Sequence, residues 1–168
     1  MTKFERMDQL LKQHNGIIRT ADIVTAGISK PYFAESFRNR NLERIAHGIY
    51  ASQNIWHDSM YFLQLRYEQG IFSHDTALYL HDLTDREPIQ LTITVKTGYN
   101  TSHFQKLNVK AYAIKKELHE LGVSIMDTPF GNLVRVYNVE RTICDIVRSR
   151  RDIEVQTFQN ALSQFVGR

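Results

Sequence analysis

Apolar positions along the first forty residues recur at helical spacing, and after Asn41 they alternate at strand spacing. Thr2 and Glu5 fit a capping box opening a first helix, with Phe4, Met7, Leu10 and Leu11 on one face until Asn15-Gly16 ends it. Ile17-Ile18 reads as a short apolar link. Thr20 can cap a second helix with Asp22 in its first turn and Ile23 inward, and Gly27 supplies a left-handed stop. Ser29 caps a third helix, with Pro31 in its first turn and Phe33, Ala34 and Phe37 as the buried stripe. Tyr32, Glu35, Ser36 and Asn39 then face outward. Residues 42–45 and 48–51 read as two strands joined through Ala46 and His47. The predicted plan is three helices followed by a wing.

The segment "SQNIWHDS" changes character and sets a domain boundary, giving domains 1–52 and 53–168. Beyond it, Asp58 caps a helix carrying Met60, Leu63 and Tyr67, and Ser73 caps one carrying Ala77, Leu80 and His81. Ile89, Leu91, Ile93 and Val95 alternate with Gln90, Thr92 and Thr94, the pattern of a half-buried strand. Residues 109–114, 123–126 and 133–137 are further strands, and helices over 139–150 and 153–166 close the chain. The fold class is α+β, a winged helix-turn-helix followed by a mixed α/β domain.

Composition narrows the class. A chain of 168 residues with 42% hydrophobic content can bury one medium core or two small ones. No long apolar run or signal-peptide centre occurs, so a cytoplasmic protein with no membrane partner is expected. The single cysteine, Cys144, excludes an internal disulfide framework and reads as a small buried hydrophobe. Charge is informative once divided. Residues 1–52 hold eight basic and five acidic side chains, and the remainder holds thirteen of each. The whole excess of three therefore sits where a basic surface could neutralise phosphates.

The third helix carries the chemistry for such a partner. Tyr32, Ser36 and Asn39 can reach base edges or phosphates, while Lys30, Arg38 and Arg40 suit phosphate or guanine. The helix start at Ser29 offers amide donors, and His47 at the wing tip can touch the backbone or minor groove. Other readings stand beside these: Tyr32 packs on a neighbouring helix, Arg44 pairs with Glu43 or Glu35, or the winged helix docks a protein. The second domain shows no phosphate loop, zinc-binding helix motif or nucleophile elbow, so no catalytic residue, metal ligand or cofactor is assigned. His74 and His81 read as a cap-region and a core-edge histidine, not a metal pair. Arg141, Asp145 and Arg148 read as an ion-paired helix face opposite Ile143, Ile146 and Val147. Asp82, Asp85 and Glu87 are the nearest approach to a metal-assisted nuclease cluster, but "HDLTDREP" reads better as a polar turn.

Several ordered motifs resemble the antitoxin component of AbiE-type abortive-infection, or type IV toxin–antitoxin, systems. "GIIRTADIVTAGISKPYF" and "NLERIAHGIYAS" are similar to that family's N-terminal winged helix, and "GIFSHDTALYLHDLTDREP", "IQLTITV" and "VRVYNVERTICDIVR" to its antitoxin domain. The resemblance implies a non-enzymatic autorepressor that binds inverted repeats in its promoter; a monomer of this size covers about one half-site, so a protein monomeric in solution is expected to place two copies on the DNA. The resemblance also implies that the second domain counteracts a nucleotidyltransferase-like toxin without a stable complex. Ser73, His74, Glu140, Arg141 and Asp145 are the positions it marks for that domain's integrity or function. The sequence stops at "ALSQFVGR", where that family continues, so this member is either short or truncated.

Overall fold

Thr2 starts α1 (Lys3–Gln13) through a closed capping box, its hydroxyl accepting from the Glu5 amide at 3.2 Å while the Glu5 carboxylate accepts from the Thr2 amide at 2.7 Å. The computed structural model describes Met1–Arg168 and divides into two units, Met1–Arg66 and Tyr67–Arg168. In the first, α1 is followed by β1 (Ile17–Arg19), α2 (Thr20–Thr25), α3 (Lys30–Asn39), β2 (Leu42–Ala46), β3 (Ile49–Ser52) and α4 (Ser59–Arg66). The residues expected to be a link, Ile17 and Ile18, form a strand paired antiparallel with β3 in a sheet of order β1-β3-β2. Three residues carry no readable period, and their partner lies beyond two helices in sequence. Helix α2 begins one residue earlier than expected: the Asp22 carboxylate accepts from the Arg19 amide at 3.2 Å, making Arg19 the cap rather than Thr20.

The small sheet is buried on both faces. Ile18 and Tyr50 join Met7, Ile23, Ile28, Leu42, Phe33 and Phe37 on one side, while Ile17, Ile49 and Ala51 pack with Phe62, Ile55 and Leu65 on the other. This second layer moves the boundary from residue 52 to Arg66, because without α4 the face bearing Ile49 would be wet. Burying Phe62 alone contributes roughly 2–3 kcal/mol. Asp58 starts α4 as expected, accepting from the Tyr61 amide at 3.1 Å. Gly16 is required at its turn: its φ is +84°, and a Cβ there would lie 2.7 Å from Ile55 Cγ2.

The second unit comprises β4 (Ile71–Phe72), α5 (His74–Leu80), β5 (Leu91–Lys96), β6 (Val109–Ile114), α6 (Lys116–His119), β7 (Val123–Asp127), β8 (Leu133–Tyr137), α7 (Val139–Arg148) and α8 (Val155–Val166). Its sheet has order β6-β5-β4-β8-β7, with β5–β6 and β4–β8 parallel and the other neighbours antiparallel. Helices α5, α7 and α8 enclose Leu78, Leu83, Ile143, Ile146, Ile153 and Ala161. The chain is thus α+β. No helix is long and apolar enough to cross a membrane.

Two burial expectations are corrected here. Strand β5 is buried on both faces rather than one, because the Thr92 amide donates to Thr76 Oγ1 at 2.9 Å and Thr94 Oγ1 donates to Ser73 Oγ at 2.7 Å. Satisfied hydroxyls allow a threonine face to lie dry beneath α5. On α7 the inward positions are Arg141, Thr142, Ile143, Asp145 and Ile146, which turns Cys144 and Val147 outward to solvent.

Candidate nucleic-acid interface

Helix α3 presents two rows of exposed residues, Lys30-Ala34-Arg38 and Pro31-Glu35-Asn39, each spaced by four. Its inner stripe is Phe33, Ser36, Phe37 and Arg40, spaced i, i+3, i+4 and i+7. Phe33 and Phe37 meet Tyr50 edge to face with ring centroids 5.0 and 5.5 Å apart. Ser36 is therefore not on the outer face: its side chain is fully buried. Tyr32 is half-buried with its ring edge-on to Phe4 at 5.4 Å and its hydroxyl enclosed, so it packs on α1 rather than projecting outward. Ala34, assigned inward from its hydrophobicity, is exposed.

Arg40 is also turned to an internal task. Its Nε donates to Asp8 Oδ1 at 2.8 Å, its Nη2 donates to the Phe4 carbonyl at 3.2 Å, and its guanidinium lies 5.3 Å from the Phe4 ring. It fastens the end of α3 to α1. Arg40→Ala should lower stability in urea melts by about 1 kcal/mol, whereas Arg38→Ala should stay within about 0.5 kcal/mol of wild type. Equal melts for the two variants would remove the structural assignment of Arg40.

Ser29, Lys30, Arg38, Asn39 and His47 remain exposed, and Lys30 and Arg38 have no carboxylate partner. The β2–β3 hairpin turns at His47-Gly48, where Gly48 has φ +72°, and Arg44 Nη2 lies 3.0 Å from His47 Nδ1 rather than pairing with Glu43 or Glu35. Over the whole first unit, nine basic residues face six acidic ones, so the excess of three survives the moved boundary. Residues 5–53 match the family described as transcriptional regulator, AbiEi antitoxin. In this segment the chain is similar to the AbiEi antitoxin family. No curated protein matches it significantly.

The matched segment ends within the first unit, and the remaining candidate positions lie in the second. Ser73 stands at the start of α5 without capping it; its Oγ takes the Thr94 hydroxyl and lies 2.8 Å from His74 Nδ1. His74 is buried with a left-handed φ of +50°, its Nε2 is 3.2 Å from Ser149 Oγ, and its ring stacks on Tyr112 at 3.7 Å. Burial above all, with Lys110, Arg148 and Arg141 nearby, lowers its pKa to about 3, so the imidazole is neutral. Thr94, Tyr112 and Ser149 were missed because nothing in their local sequence signals partners so distant along the chain.

Arg141 and Asp145 form a buried pair within α7, with Arg141 Nε 3.1 Å from both carboxylate oxygens. Arg141 Nη1 also donates to the Leu118 and Leu121 carbonyls at 2.8 and 2.6 Å, and its guanidinium lies 4.0 Å over the Tyr137 ring. Gly122 makes room for this: a Cβ on it would fall 2.8 Å from Arg141 Cβ. Arg148 adds a third member, donating to Asp145 at 2.7 Å. Glu140 is exposed on the first turn of α7 and takes no part. His81 lies 2.7 Å from the Tyr137 carbonyl, and Asp82, Asp85 and Glu87 are exposed around the turn after α5. No group of three His, Cys, Asp or Glu side chains is placed to hold a metal ion.

Proposed function

We propose that the first unit is a winged helix-turn-helix that binds inverted repeats upstream of the chain's own operon and represses it, while the second unit counteracts a nucleotidyltransferase-like toxin. The observation that carries the DNA reading is the outer face of α3, where Lys30 and Arg38 stand one row from Asn39 with no internal carboxylate to satisfy them. A helix about 10–12 Å across with its side chains fits the roughly 12 Å wide major groove, and the ten residues of α3 run about 15 Å along it. Asn39 suits adenine, Arg38 suits guanine or phosphate, and Lys30 with the amides after Ser29 suits phosphate. Arg44 and His47 on the wing give the flanking backbone contact. The contacting set is thus Ser29, Lys30, Arg38, Asn39, Arg44 and His47, without Tyr32, Ser36 or Arg40.

One copy covers one half-site, so two monomers assemble on an inverted repeat. The toxin is opposed without a stable complex between the two proteins. The test is binding of the purified chain to its upstream fragment and to a scrambled duplex at two salt concentrations. Specific binding should weaken with salt, and Lys30→Ala with Arg38→Ala should cost about 10–100-fold in affinity and flatten the log–log salt slope by about two. The same double variant should still rescue cells from the toxin, since the second unit is untouched. Equal affinity for both duplexes at every salt overturns operator binding.

A further inference from the structure

We propose that a cavity beside the C-terminal end of α7 binds the phosphate chain of a nucleoside triphosphate. The cavity measures about 800 Å³ and is lined by Tyr112, Cys144, Arg148, Ser149, Arg150 and Arg151. That volume lies within the roughly 300–1,000 Å³ of small-molecule sites.

Its charge is one-sided. Arg150 and Arg151, on the single turn after α7, are exposed and have no carboxylate partner, and Asp152 is the one acidic residue in the lining. Arg148 shares Asp145 with Arg141, so one carboxylate offsets two guanidinium groups. Three guanidinium groups facing one space can each take phosphate oxygens in a bidentate manner, which a single carboxylate ligand could not satisfy. Ile143 and Val147 supply an apolar side on which a base and sugar can rest, and this accounts for Val147 being left in solvent.

The polar wall is set before any ligand arrives. A continuous chain of hydrogen bonds runs from Thr94 through Ser73 and His74 to Ser149, and the His74 ring stacks on Tyr112. Both Ser149 and Tyr112 therefore hold fixed positions, which lowers the ordering cost of binding. The depressed basicity of His74, to which Lys110, Arg148 and Arg141 contribute, agrees with a positive local potential. This site uses none of the residues assigned to DNA.

Cys144, the single cysteine, is exposed in the same cavity and reports on occupancy. ATP and inorganic tripolyphosphate are titrated into the full chain by calorimetry, and Cys144 alkylation by iodoacetamide is timed with each. At about ten times its dissociation constant, ATP should slow alkylation roughly tenfold. Arg150→Ala with Arg151→Ala should weaken binding about tenfold or more while leaving the melting temperature unchanged, as both side chains are exposed. Tighter binding of ATP than of tripolyphosphate supports a nucleotide ligand; equal binding supports the phosphate chemistry and names free polyphosphate as its source. Unchanged alkylation at millimolar ATP, ATP binding undiminished in the double variant, or protection by duplex DNA alone overturns the proposal.

Discussion

Asp145→Ala should destabilise the second unit by about 3–5 kcal/mol, the cost of leaving a buried guanidinium without its carboxylate. Asp145 is 4% exposed and accepts from Arg141 and Arg148, while Arg141 is held on its other side by two carbonyls and the Tyr137 ring. Arg141 therefore cannot swing to water without unmaking the contacts between α6 and α7. Burial raises the Asp145 carboxyl pKa more than Arg141 and Arg148 lower it, so at this carboxylate desolvation outweighs the attraction of its partners. This sets the pattern of the variants. Asp145→Asn should lose less than Asp145→Ala, and Arg141→Met combined with Asp145→Leu should recover much of the loss, because an apolar pair leaves no orphaned charge.

Far-UV circular dichroism in urea, with hydrogen exchange on β8 to isolate the second unit, measures these differences. A loss of this size removes a large share of the roughly 5–15 kcal/mol that holds a domain folded. Antitoxicity should therefore fall in Asp145→Ala together with the folded fraction and return in the apolar double variant. Loss of rescue in a variant that melts like wild type would give the pair a direct role against the toxin instead.

Elements with a clear period were legible in the sequence. Strands β6 and β8 fall over the residues expected of them, and the Thr2 capping box and the Asp58 cap are present. What escaped was set by contacts distant in sequence. Strands β1 and β4 are too short to show alternation, and each exists only because a longer strand lies beside it. On α3, hydrophobicity chose Ala34 for the core, whereas geometry placed Ser36 there with no side-chain partner and Arg40 at its edge, bound to Asp8. A small serine gives no sign of burial in sequence, and an arginine reads as surface until its carboxylate is found. The same limit applied at His74, whose partner Ser149 lies 75 positions away.

Acidification should expose the neutral state of His74 as a loss of stability. Its pKa is near 6.5 in the unfolded chain and about 3 in the fold. A depressed folded value contributes stability that is complete above the unfolded pKa and drains away as pH falls towards the folded one. The contribution of this single ring should fall by about 1.5 kcal/mol between pH 6.5 and 5, and by about 3 kcal/mol by pH 4. His119, its pKa also lowered by burial, acts in the same sense. Asp75 and Asp145 act oppositely: burial raises their folded pKa values, so their protonation at the acid end restores stability and flattens the curve there. The interval from pH 6.5 to 5 is consequently the one to read. His74→Asn is the variant to compare, since asparagine tolerates the left-handed φ of +50° and does not titrate. Wild type should lose about 1.5 kcal/mol more than His74→Asn over that interval in urea melts. Parallel curves would mean that the folded protein admits an imidazolium at this position. An imidazolium Nδ1 could only donate to Ser73 Oγ, and the wall of the cavity at Ser149 and Tyr112 would then rest on a charged ring.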